Sequence, residues 1–253
     1  MCSSDLAPAA IRLAWRALPG SMKRHFRDGA GGRKLMYDLV IKGAQVADGL
    51  GNPLKTADVG VEGGRIAEVG RIDAAAKQSI DADGLVLAPG IVDVHTHYDA
   101  QLTWDSDATP SPALGVTTVV VGNCGFSIAP CPPECRDLIA RNLAEVEGMS
   151  LTALRSGTNW EFESFDEYLG LLRQKGVTPN VAAFIGHSAV RTMVMGEEAS
   201  ERAANDDEVA AMRDLVVGGM DAGAIGFSTS TSINHHGDGG VPMPSRLAEE
   251  SEL

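Results

Sequence analysis

The chain has 253 residues, 44% of them hydrophobic and 22% charged, with a net charge of −13. That balance belongs to a soluble globular protein of one α/β barrel or two smaller domains. The negative charge argues against nucleic acid or an anionic membrane as partner, and no apolar run is long enough to span a bilayer.

The charge is uneven. Residues 1–35 carry a net +5, which leaves −18 on the rest. A basic, acid-poor leader can be a targeting peptide. The preferred reading is a non-native leader, with Met1–Leu6 the translation of an adapter end and Met36 the natural start. The four cysteines, at 2, 124, 131 and 135, have no secretory signal before them. They read as reduced thiols or ligands in a cytoplasmic protein.

From Met36 the pattern is a small antiparallel β domain over 36–88. Tyr37 to Gly43 is a strand, and Val59–Glu62 and Arg65–Val69 form a hairpin around Gly63-Gly64, whose glycines supply the positive φ the turn needs. A further strand is predicted near Gln78–Ala82. The apolar run Leu85–Val94 has strand composition and ends in His95-Thr96-His97. Residues i and i+2 of a strand share a side, so His95 and His97 can aim two imidazoles at one divalent ion. Satisfied core or surface histidines are the bland alternative.

Strands then alternate with helices. Val116–Val121 is a buried strand ending at Gly122-Asn123-Cys124-Gly125, and a helix follows over 136–147. Ser164 and Glu167 form a capping box that opens a second helix, with Gly176 to stop it. Asn180–His187 is a third strand. Asn205 and Glu208 open a helix to about Ala222, and Ala224–Ser230 is a fourth strand. Apolar strands alternating with helices indicate a parallel sheet covered on both faces. The polar residues His95, His97, Cys124, His187, Ser228 and Ser230 all fall at strand C-termini, where a (β/α)8 barrel builds its active site. A doubly wound sheet also binds ligands there, but no Gly-rich phosphate fingerprint follows the first parallel strand.

These segments resemble a known family. The β domain followed by Ala88 to His97 resembles the amidohydrolase superfamily of metal-dependent hydrolases. Gly122–Pro130, Trp160–Phe165, Gly186–Arg191 and Gly226–Ser230 resemble its N-acyl-D-amino-acid deacylase (D-aminoacylase) branch. The resemblance covers nearly everything from Met36 to Leu253. It implies an α/β chain comprising the N-terminal half of a TIM-like barrel, over 89–253, behind the small β domain. It also implies one or two zinc ions, with His95, His97 and Cys124 as ligands, and a small-molecule N-acyl amino acid as substrate. The general-base aspartate and the later histidine ligands are expected beyond Leu253, so no catalytic base is assigned in this chain and the 253 residues alone are expected to be inactive.

Other residues keep open readings. Cys124 could be a small buried apolar residue. His187 is either a substrate contact or a structural hydrogen bonder, and Ser228 is expected to line the cavity. Cys131 and Cys135 read as loop residues rather than a zinc knuckle, and adjacent His235-His236 as a loop over the mouth. Two rivals remain: another amidohydrolase, such as a cyclic-amide hydrolase or deaminase, and a non-catalytic barrel-derived scaffold.

Overall fold

A computed structural model describes residues 37–253, and they divide into two compact units at Gly90/Ile91. The readings made for residues 1–35 and for Met36 lie outside the described residues.

The first unit is one sheet. Its strands are β1 (Tyr37–Val46), β2 (Lys55–Glu62), β3 (Arg65–Gly70), β4 (Ala76–Asp81) and β5 (Val86–Leu87), in the order β3-β2-β1-β4 with β5 also on β1. The predicted hairpin is present, with Gly63 and Gly64 at φ 57° and 73°. The sheet is not purely antiparallel, however: β4 and β5 run parallel to β1. Alternation along β1 and β2 puts Leu39, Ile41, Val59 and Val61 into one core cluster with Ala44 and Ala82. The carboxylate of Asp58 ties the unit together. It accepts from the Gly43 amide at 2.9 Å and the Ile72 amide at 3.0 Å, and Lys42 Nζ lies 3.2 Å away.

The second unit is a parallel sheet in sequential order: β6 (Ile91–Asp93), β7 (Val116–Val121), β8 (Asn180–Gly186) and β9 (Gly226–Ser228). Sequential order is that of a barrel wall; a doubly wound sheet reverses its order part-way. Five helices accompany it: α1 (Arg136–Val146), α2 (Leu151–Gly157), α3 (Phe165–Lys175), α4 (His187–Met195) and α5 (Asp206–Ala222). Both capping boxes form. Ser164 pairs with Glu167 at the start of α3 and Asn205 with Glu208 at the start of α5, each satisfying two otherwise orphaned amides. Val119, Val121, Ile185, Tyr168, Leu154 and Ile128 are buried against one another in a single core. At roughly 1.5–3 kcal/mol for each large apolar side chain, such burial supplies most of the drive to fold.

Two further expectations are corrected. The apolar run Leu85–Val94 is not one strand: Val86–Leu87 pairs with β1 in the first unit and Ile91–Asp93 with β7 in the second, with Pro89-Gly90 between. His187 does not end β8 but opens α4. Helix α2 was not anticipated. No helix among the described residues is long and apolar enough to cross a membrane.

The Asp58 hub is testable. Asp58→Ala leaves the Gly43 and Ile72 amides without their partner, and we expect a loss of about 1–3 kcal/mol in the first unit. These amides hold the Asp58 carboxyl below its ordinary range. A depressed folded pKa means that its contribution is fully present above the unfolded carboxylate range and is lost as pH falls through the folded value. Hydrogen exchange of β1 and β2 amides, at neutral and acid pH, checks both expectations; unchanged protection in the variant refutes them.

Candidate metal centre

His95, Thr96 and His97 follow β6 after one intervening residue, Val94. The segment stays in register with β7 because the Thr96 amide donates to Val120 O at 3.1 Å, and the Thr96 hydroxyl donates to the same oxygen at 2.7 Å. Thr96 is buried, so its neighbours on either side turn the other way, and their rings meet edge-on at 5.2 Å between centroids. The geometry at i and i+2 thus survives beyond the end of the strand.

Cys124 comes to the same place from the end of β7. It takes a left-handed backbone conformation, φ 57° and ψ 14°, between Gly122 and Gly125, which also have positive φ. Such a conformation is uncommon outside glycine and has to be held by its surroundings. Two side chains do so. Asn123 Nδ2 donates to Thr96 O at 3.1 Å and to Val120 O at 2.9 Å. Ser228 accepts from the Gly125 amide at 3.0 Å and donates to Gly122 O, closing both ends of the turn. A Cβ on Gly122 would collide with the Phe184 carbonyl oxygen, so this position requires glycine.

One donor atom each from His95, His97 and Cys124 lies within 4.8 Å of the other two, and the Cys124 sulfur is 3.3 Å from His95 Nε2. Two imidazoles and a thiol at this spacing suit a divalent ion of borderline softness. The electrostatics agree. Burial, aided by His95 and His235, pushes the His97 pKa down to about 4, so the ring is held in the neutral form a metal requires. Its Nδ1 is buried without a hydrogen bond. The Cys124 thiol is pushed up by burial and then by the charge of Glu147.

Glu147 was not singled out in the sequence. It ends α1, and its Oε1 lies 3.4 Å from His97 Nδ1, within ion-pair reach but out of line for a hydrogen bond. With His97 neutral, this contact is not a pair of opposite charges; burial raises the Glu147 carboxyl. Asp99 is buried nearby. Burial raises its carboxyl to about 7, against the pull of the Gly122 amide, and it is not a member of the three-residue cluster.

The other predicted residues take different places. His187 is buried, with Nδ1 2.8 Å from Thr229 Oγ1 and Nε2 2.7 Å from Glu252 Oε1, and Glu252 also pairs with buried Arg191. Both ring nitrogens are engaged by protein side chains, as in the structural reading of this histidine. The Ser228 hydroxyl is committed to the Cys124 turn rather than presented to a cavity. Cys131 and Cys135 lie in the loop and short 3-10 turn before α1, as expected, but both are buried in the core, and burial pushes the Cys131 thiol up to about 12. His235 stacks edge-on against Phe126 at 4.9 Å, and Phe126 lies 6.0 Å from His97, so the 230–243 segment flanks the cluster.

The model of the amidohydrolase family matches residues 78–252. The chain belongs to the amidohydrolase family. This amidohydrolase is 44% identical over 198 residues to the D-aminoacylase of Alcaligenes xylosoxydans xylosoxydans, a match covering 76% of this chain and 37% of that enzyme. It is similar to a crystal structure of D-aminoacylase, with a TM-score of 0.69 and 36% identity over 85% of this chain and 41% of that one. It is also similar to the N-acyl-D-glutamate deacylase from Bordetella bronchiseptica solved with zinc and a phosphonate inhibitor. That match has a TM-score of 0.70 and 33% identity over 87% of this chain and 42% of that one. The chain thus spans about two fifths of the length of these relatives.

The turn that carries Cys124 generates a prediction. Gly122→Ala introduces both a strained φ and a clash with the Phe184 backbone, and we expect a loss of about 2–4 kcal/mol. Denaturant unfolding measures it. A variant as stable as the parent would show that the turn can relax without cost.

Proposed function

We propose that this chain is part of a zinc-dependent hydrolase that cleaves the amide bond of N-acyl-D-amino acids, with His95, His97 and Cys124 holding the metal. One observation carries the reading: three metal-type donors converge at strand C-terminal ends in a chain similar along most of its described length to D-aminoacylases. The preference for the D enantiomer rests on those relatives alone. Zinc is favoured because the set combines nitrogen with thiolate.

The reaction adds water across the amide: a new bond forms from oxygen to the carbonyl carbon, the C–N bond breaks, and the amine leaves with a proton. A divalent ion bound here would polarise the carbonyl and acidify the water. The chain's own residues have narrower tasks. His95 and His97 would present one ring nitrogen each, and Cys124 would give up its proton on ligating. Asn123, Thr96 and Ser228 keep the three donors at their spacing. Phe126 and His235 wall the side of His97, limiting solvent there.

Two measurements test the reading on the full-length protein. We expect about one to two zinc ions per chain, and a clear loss in Cys124→Ser; undiminished zinc in that variant would remove Cys124 from the ligand set. We also expect faster hydrolysis of N-acetyl-D-methionine or N-acetyl-D-glutamate than of the L forms. An L preference, or turnover of cyclic ureides alone, would move the protein to another branch of the family.

A further inference from the structure

Among the described residues, the carboxylate of Glu147 has no partner that explains its position. It is the residue that caps the C-terminal end of α1, and its side chain is 19% exposed. A negative charge at a helix C-terminus opposes the helix dipole, and partial burial adds a desolvation cost. Its nearest basic neighbour is an imidazole, not an arginine or lysine. A local arrangement that is unfavourable in itself and sits beside a functional cluster is the kind of exception that function maintains.

The neighbouring imidazole has the complementary deficit. His97 Nδ1 is buried without a hydrogen-bond partner, and Glu147 Oε1 is 3.4 Å from it. A buried nitrogen left unpaired gives up its hydration with nothing in return. A shift of a few tenths of an ångström, with a turn of the carboxylate, satisfies both groups. A histidine that ligates a metal through one nitrogen commonly donates its other N–H to a carboxylate, which fixes the tautomer and the ring orientation.

We infer that Glu147 is a positioning residue for His97: its carboxylate accepts from Nδ1–H, which leaves Nε2 unprotonated and turned towards His95 and Cys124. This rests on the metal-centre reading above, not on the identity of the substrate. Helix α1 thereby becomes part of the centre, although it follows β7 and bears none of the three donors.

The experiment uses the metal-free 253-residue chain labelled with 15N-histidine. Long-range 15N–1H correlation spectra report which nitrogen of His97 carries the proton. We expect the Nδ1–H tautomer in the wild type and in Glu147→Gln, whose amide oxygen can accept the same bond, and loss of that single tautomer in Glu147→Leu. Zinc affinity, measured by competition with a chromogenic chelator, is expected to fall about 10- to 100-fold in Glu147→Leu and to be largely restored in Glu147→Gln. An Nε2–H tautomer in the wild type overturns the inference. So does a Gln variant as weak in zinc binding as the Leu variant, which would make the charge or direct ligation the essential property. The wild-type and Gln measurements decide the matter even if Glu147→Leu fails to fold. A full-length enzyme with a different substrate preference would leave the tautomer result standing.

Discussion

The carbonyl oxygen of Val120 is the point on which the metal centre depends. Three donors converge on it: the Thr96 amide, the Thr96 hydroxyl and the Asn123 side chain. Asn123 also reaches Thr96 O. The residue between the two histidines and the residue before the cysteine are thus bound to one atom and to each other. All of this is buried, where such bonds meet little competition from water. The spacing between the histidine pair and Cys124 follows from this knot rather than from contacts of the ligands themselves.

The Cys124 turn shows how a local cost is offset by neighbouring structure. A left-handed cysteine between two glycines is unfavourable in isolation. The clamp by Ser228 brings in β9, which lies two strands away from β7 in the sheet. Three strands of the second unit therefore contribute directly to one small site, through β6, β7 and β9. Substrate contact is not required to explain Ser228; its hydroxyl bridges a carbonyl and an amide that flank Cys124.

The sequence was most legible where the signal is local. Val116–Val121 is a strand because β-branched residues fill a two-sided core, and both capping boxes could be identified from residue types three positions apart. His95, His97 and Cys124 were legible as chemistry, and the structure brings them together. Legibility failed where distant pairing decides. The Leu85–Val94 run looks uniform, yet Pro89-Gly90 divides it between two sheets. The orientation of β4 and β5 on β1 is a tertiary choice that alternation cannot encode. His187 reads as the polar end of an apolar strand, but the chain turns into α4 directly after Gly186, where the close approach of Gly125 O and Ser127 leaves no room for a side chain. Glu147 carried a weak signal that could have been used, an acidic residue at the end of a helix whose dipole disfavours it.

The exposure of the three donors is graded: His95 faces solvent, while His97 and Cys124 are partly buried. The exposed His95 ring is the donor that solution reaches first, and the inner two donors are already placed by the backbone. The ordering entropy of those inner donors is spent during folding, not at the moment of capture. An ion that binds only this folded arrangement would add its binding free energy to the stability of the sheet, so occupancy of the candidate centre and stability of the second unit would rise and fall together.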